Sequence, residues 1–121
     1  MKNTAKALNE FYNGFGIPAY PSDSVPDDAQ RPYITYLVAR PEWNRPATHY
    51  CRVWYRGIKN IDLFDMADMI VRTIGQGIKI KCPDGGYLAI YPETPLQQLM
   101  VSDDPTDRSV YINLQLNAYN Q

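Results

Sequence analysis

The C-terminal part of the chain carries the clearest alternation of apolar and polar positions. In residues 110–119, a set of Val110, Ile112, Leu114, Leu116 and Ala118 alternates with a set of Tyr111, Asn113, Gln115, Asn117 and Tyr119. A period of two residues predicts a half-buried strand. Its polar face carries no charge, although exposed strands commonly carry Lys, Glu or Pro, which discourage pairing with another chain. We therefore predict that this face contacts a neighbouring protein; the alternative is that a helix of the same chain covers it.

Two segments have the spacing of amphipathic helices. Residues 4–12 place four apolar side chains on one face, and Gly14 follows them. Residues 61–74 repeat apolar side chains at helical spacing, begin after Asn60, a favourable N-cap, and end before Gly75. The pattern predicts a short docking helix and a longer main helix.

The other apolar runs are β-branched, aromatic or alternating, and they predict strands. Residues 33–40 are apolar on both faces, which is typical of a central strand, and we expect them to pair with residues 49–55 as a hairpin. Residues 78–82 and 87–91 flank a turn that contains two glycines, which predicts a second hairpin. Residues 96–101 predict one further short strand before an acidic turn.

The order of these elements indicates the fold class. With a short extended piece after the first helix, the predicted order is α, β, β, β, α, β, β, β, β. Strand clusters combined with two helices are typical of an α+β layer. A chain of 121 residues and 13.9 kDa is large enough for one hydrophobic core. We predict a single α+β domain over residues 1–121, with a mainly antiparallel or mixed sheet and both helices packed on one face.

Charge and hydropathy exclude several classes of function. The formal net charge is −1, so the chain lacks the basic excess that drives binding to phosphates, and we expect no tight or specific binding to nucleic acid. No window approaches the roughly 18 apolar residues of a membrane helix, and the first residues lack the pattern of a secretory signal. We expect a cytoplasmic protein that does not enter a membrane.

The residues that could carry metal or catalytic chemistry do not form a convincing site. His49 and Cys51 share one face of a predicted strand and Cys82 lies elsewhere, but a structural zinc site needs four ligands in closely spaced pairs. No serine stands in a nucleophile motif, and Gly85 and Gly86 lie in a turn without the lysine of a phosphate loop. We predict no catalytic, cofactor-binding or metal-binding residues, and we expect both cysteines to be buried thiols.

Three aspartates of the main helix need a separate interpretation. Asp62, Asp65 and Asp68 are three residues apart and share a broad helical face. Paired carboxylates can bind a cation. A solvated acidic face is the more common reason for such spacing, and it is the interpretation we favour.

The aromatic content points to assembly. Ten tyrosines, two tryptophans and three phenylalanines are many for a short chain, and tyrosine suits surfaces that are wet in the free protein and buried in a complex. Filling of strands is the alternative explanation. The candidate interface combines the polar set of the last strand with two tyrosines of the second hairpin: Tyr87, Tyr91, Tyr111, Asn113, Gln115, Asn117 and Tyr119.

The same segments also carry a resemblance to a known family. The runs IPAYPSDSVPDDAQRPYITYLVARPEW, VWYRG, NIDLFDMADMIVRTIG and KIKCPDGGYLAIYPETPLQQLMVSDDPTDRSVYINLQLNAY occur in this order. Over nearly the whole chain they resemble the small tail-terminator and minor capsid proteins of siphophages and prophages of Gram-positive bacteria. Proteins of this family join the head to the tail. The marks are a strand led by Pro32, the CPDGG hairpin and a final amphipathic strand after an acidic turn.

The resemblance implies a structural role in the virion. A protein of this family forms a ring, typically a hexamer, that caps the head-proximal end of the tail tube after assembly in the host cytoplasm. Its expected partners are further copies of itself, the major tail tube protein and the head completion or connector protein. The family has no catalytic residues to carry over. The alternatives are another neck or head completion protein of the same virion, and an unrelated small bacterial enzyme or regulator.

Overall fold

The computed structural model describes residues 2–38, 44–58, 60–83 and 85–119. Two helices and six strands follow one another in these residues. In chain order they are α1 (Lys2–Asn13), β1 (Ala19–Pro21), β2 (Tyr33–Tyr36), β3 (Pro46–Arg56), α2 (Ile61–Ile74), β4 (Ile78–Lys81), β5 (Tyr87–Val101) and β6 (Asp107–Tyr119).

All six strands belong to one sheet with the spatial order β1-β2-β3-β6-β5-β4. β1 runs parallel to β2, and the other neighbouring strands are antiparallel, so the sheet is mixed. Both predicted hairpins are present, because β2 pairs with β3 and β4 pairs with β5. The last strand of the chain lies in the middle of the sheet, where β3 and β5 pair with it.

A single hydrophobic core lies between this sheet and the two helices. Leu8 and Tyr12 of α1 and Leu63 and Ile70 of α2 are fully buried in it. The apolar side chains of β6 from Val110 to Ala118 belong to the same core, as the alternation predicts. Both helices therefore pack on one face of the sheet, here called the inner face, and the predicted α+β class is confirmed.

Several predicted boundaries differ from the structure. The runs predicted as two strands, 87–91 and 96–101, form the single strand β5, which has a register shift against β6 between Pro92 and Gln97. β2 ends at Tyr36 rather than extending to residue 40, and residues 39–43 lie outside the described residues. β6 begins three residues earlier than predicted, at Asp107, because it pairs along the whole of β3.

The start of α2 lies where it was predicted, but the expected cap is not formed. Asn60 has a helical backbone conformation and makes no capping hydrogen bond with its side chain. Its Oδ1 instead accepts a hydrogen bond from Nη1 of Arg108 on β6, at 2.8 Å. This contact attaches the beginning of α2 to the sheet. Neither of the helices in the described ranges is long and apolar enough to cross a membrane.

Candidate functional site

The face of the sheet opposite the helices, here called the outer face, carries the candidate interface. Every second residue of each strand points to this face, because side chains alternate along a strand. Its aromatic members are Tyr20 of β1, Tyr33 of β2, Tyr50 and Trp54 of β3, Tyr87 and Tyr91 of β5, and Tyr111 and Tyr119 of β6. Both helices lie on the inner face, so neither of them covers these side chains in the described part of the chain.

The structure brings all seven predicted interface residues together on two neighbouring strands. Tyr87 of β5 is paired with Tyr119 of β6, and Tyr91 is paired with Gln115. The rings of Tyr87 and Tyr119 stack with centroids 4.9 Å apart. Each of the seven side chains is half-buried by its neighbours on the same face. The predicted residues therefore form one continuous surface, whereas their role as an interface stays a prediction.

Hydrogen bonds along β6 hold the polar part of this surface in place. Gln115 donates from Nε2 to Oδ1 of Asn117 at 3.3 Å, and Asn117 donates from Nδ2 to the hydroxyl of Tyr119 at 3.1 Å. Asn113 donates weakly to the carbonyl of Thr94 at 3.4 Å. A polar surface ordered before it binds loses less conformational entropy on contact with a partner.

A cleft opens on the outer face where β5 shifts its register against β6. It has a volume of about 310 Å³, and Thr48, Glu93, Asn113 and Gln115 contribute to its lining. The residues between Pro92 and Gln97 leave the ladder at this point. The cleft is lined by hydrogen-bonding groups, so it suits a polar side chain of a partner rather than an apolar one.

A second part of the outer face was not predicted and is built around Trp54. The guanidinium carbon of Arg52 lies 4.0 Å from the centroid of the Trp54 ring, and that of Arg31 lies 5.4 Å from it. Arg31 also lies over the ring of Tyr33 and forms an ion pair with Asp107, with Nε and Oδ1 2.8 Å apart. We call these five residues the arginine–tryptophan cluster.

Further contacts fix this cluster and extend it along the sheet. Trp54 donates from its indole nitrogen to Oγ1 of Thr35 at 3.0 Å. Arg52 donates from Nε to Oγ of Ser109 at 2.8 Å, which joins β3 to β6. Beside it, Tyr50 and Tyr111 stack with centroids 4.9 Å apart. Tryptophan, tyrosine and arginine are the residues enriched in the energetic centres of protein interfaces.

The electrostatics of the cluster follow from its partial burial. Loss of solvent lowers the pKa of the Arg52 guanidinium, while Tyr50, Asp107 and Tyr111 nearby oppose this shift. Burial raises the pKa of the Tyr111 hydroxyl, so this group is neutral at physiological pH. The formal charges of this region are those of Arg31, Arg52 and Asp107.

The sequence analysis did not predict the arginine–tryptophan cluster, for two reasons. The extension of β6 to Asp107 places a carboxylate on the strand face that residues 110–119 leave uncharged. The alternation in residues 49–55 places Tyr50, Arg52 and Trp54 on one face of the strand. This pattern is the part of the sequence that could have indicated the cluster. Arg31 lies outside any periodic segment, and no local pattern predicts its position over Trp54.

The residues considered for metal chemistry lie in the core and on the helix. His49 and Cys51 are buried under α1, where the Tyr12 hydroxyl is hydrogen-bonded to Nε2 of His49 at 2.8 Å. Cys82 is also buried, and both cysteines are free thiols, as expected. Burial raises the pKa of the Cys51 thiol to about 12, so it is not a nucleophile at neutral pH. Within the described ranges, His, Cys, Asp and Glu form no group of three or more that could hold a metal ion.

Comparisons of the chain with family models, with curated proteins and with solved structures find no match.

Proposed function

We propose that this protein is a structural virion subunit, a ring-forming tail terminator that caps the head-proximal end of a phage tail tube and joins it to the head connector. The observation that carries the proposal is the outer face of the sheet, an ordered surface of tyrosines and amides that no helix of the described residues covers. The resemblance of the sequence segments to tail-terminator proteins of Gram-positive phages supports the same role. In this proposal the protein is not an enzyme.

The composition of the outer face suits contact with protein. Amide and tyrosine side chains can form hydrogen bonds with a partner without the large desolvation cost of an unpaired charge. The predicted partners are neighbouring copies in the ring, the major tail tube protein and the head completion or connector protein.

The near-neutral charge of the chain is compatible with a ring that DNA passes through. A strongly basic channel would retain DNA by binding its phosphates. The formal net charge of −1 gives no such excess. Passage of DNA therefore requires no specific nucleic-acid binding by this subunit.

We expect the free protein to be a monomer or a weak oligomer that forms rings on tail tubes. The candidate contacts are largely polar, and interfaces of modest area and polar character are often weak at roughly micromolar concentration. Light scattering over a range of concentrations, followed by electron microscopy with purified tubes, measures both states. A stable dimer that is indifferent to tubes would contradict the proposal.

Placing a charge at the centre of the β6 outer face should block assembly without unfolding the protein. Gln115 is half-buried on the outer face, so Gln115→Lys leaves the core intact. An unpaired ammonium in each repeated contact is unfavourable, and we expect capping of tubes to fall at least about tenfold. Circular dichroism and thermal melting measure folding, and electron microscopy of tube ends measures capping.

Two further variants serve as controls for this experiment. Ala5→Lys adds the same charge at an exposed position of α1, outside the outer face, and is expected to cap tubes like the parent. Leu114→Lys places the charge one residue away in the core, where the side chain is 1% exposed, and is expected to unfold the protein. If Gln115→Lys both folds and caps tubes like the parent, this face is not the contact and the proposed function loses its main support.

A further inference from the structure

The exposed side of α2 has an unusual mixture of charged and apolar residues. Asp62, Asp65 and Asp68 are exposed there, and none of them forms an ion pair within the residues that the structure describes. Large apolar side chains are exposed among them: Ile61 at 65%, Phe64 at 40% and Met69 at 42%. A purely solvated helix face is mainly polar, so these side chains indicate a second contact surface on α2.

A cleft beside α2 adds to this surface. It has a volume of about 250 Å³ and is lined by Tyr55, Asp62, Asp65, Met66 and Met69. Burial raises the pKa of the Tyr55 hydroxyl, and the nearby carboxylates of Asp62 and Asp65 raise it further. An apolar lining with carboxylates at its rim matches the aliphatic stem and charged head of a basic side chain.

The arginine–tryptophan cluster on the outer face has the complementary charge. Within the cluster, Asp107 forms an ion pair with Arg31. Arg52 donates through Nε to the hydroxyl of Ser109 and stacks on Trp54, and no carboxylate of the described residues is bonded to it. The cluster holds two guanidinium groups and one carboxylate, so this half-buried region carries a net positive charge.

We propose that α2 of one copy docks on the outer face of the next copy, with its aspartates towards Arg52 and its apolar side chains against the tyrosines and Trp54. This inference rests on the proposed function and names the contact that would build the ring. α2 and the outer face lie on opposite sides of the same sheet. Each copy therefore uses both surfaces in a head-to-tail contact, which closes into a ring when the rotation permits it.

Charge-reversal variants of the 121-residue chain test the contact. Sedimentation velocity measures their self-association at protein concentrations up to roughly 1 mM, so that weak association is detected. Arg52→Asp alone and Asp65→Arg alone are each expected to weaken self-association at least about tenfold. The double variant restores opposite charges in every contact and is expected to associate within about threefold of the parent. Lys6→Asp and Asp28→Arg make the same changes at other exposed positions and should have no effect.

Three results would overturn this proposal. The first is that Asp65→Arg self-associates as strongly as the parent while Arg52→Asp self-associates more weakly. This result would indicate that two outer faces pair with each other. The second is a double variant that remains as weak as the single variants. The third is a parent chain that stays monomeric both alone and with tail tubes. If the parent assembles only on tubes, occupancy of tube ends replaces sedimentation as the measurement.

The design separates this contact from the proposed function and from simple unfolding. Circular dichroism is measured for every variant. If Arg52→Asp does not fold, Arg52→Gln replaces it, because glutamine retains an N–H donor for Ser109. In that case the association of Asp65→Arg, on the exposed side of α2, decides the result. Rings that form but do not cap tubes would refute the proposed function and support the contact. Capping that is unchanged by Asp65→Arg would refute the contact and leave the function standing.

Discussion

Replacing Ile70 with alanine is expected to lower the free energy of unfolding by about 2 to 5 kcal/mol. Ile70 is fully buried on the side of α2 that packs on the sheet, so the shorter side chain loses apolar contacts and leaves a cavity. Chemical denaturation measures the change. Asp68→Ala, two residues away on the exposed side of the same helix, is the matched control and should change stability by less than about 0.5 kcal/mol.

A denaturation curve that Ile70→Ala leaves unchanged would contradict the packing of α2 described above. The result also matters for function, because α2 is one of the two surfaces of the inferred contact. A variant that is less stable but folded should retain the exposed aspartates in place. Its association, measured well below its melting temperature, is therefore expected to match that of the parent.

Acidification from pH 7 to pH 4 is expected to destabilise the protein by about 3 kcal/mol through His49 alone. Burial lowers the pKa of His49 to about 4, whereas the unfolded chain has the ordinary value of 6.5. Between these values the unfolded state binds a proton that the folded state does not bind. Stability is therefore lost as the pH falls through this window, and this contribution becomes constant below it.

The surroundings of His49 make the assignment testable. The Tyr12 hydroxyl lies at Nε2, and within the described residues Nδ1 has no hydrogen-bond partner, so no acceptor meets the Nδ1–H of the imidazolium ion. Burial raises the pKa values of both Tyr12 and Cys51, and neither group titrates in the acid range. Unfolding free energies of the parent and of His49→Gln are compared between pH 7 and pH 4. Equal slopes for the two proteins would show that His49 is not the group responsible.

Local patterns in the sequence determined a large part of the fold. The apolar spacing of residues 61–74 gave the bounds of α2 without error. The alternation in residues 110–119 assigned the buried and outer sets of β6 correctly. Both predictions succeed because the period of burial follows directly from the geometry of a helix or a strand, and each face of these elements meets a uniform environment. The seven candidate interface residues share one face for the same reason.

Tertiary packing decided the features that no local pattern contains. The continuation of β5 past Pro92 depends on its pairing with β6, although the prolines in this segment read as a break between strands. The side chain of Asn60 does not form the expected capping hydrogen bond, because it accepts one from Arg108 in the folded chain instead. In both cases a partner distant in sequence offers an alternative to the local interaction that propensity assumes.

The outer face likewise has features that the sequence predicts and features that only the fold determines. The sequence by itself determined that β6 presents tyrosines and amides on one side, because that requires only alternation. The joining of Arg52 to Ser109, 57 positions apart, depends on the pairing of β3 with β6. The placement of Arg31 over Trp54 requires in addition that the loop before β2 returns to the sheet. Contacts of this range are fixed by strand order and register, which are properties of the whole fold and not of any segment of it.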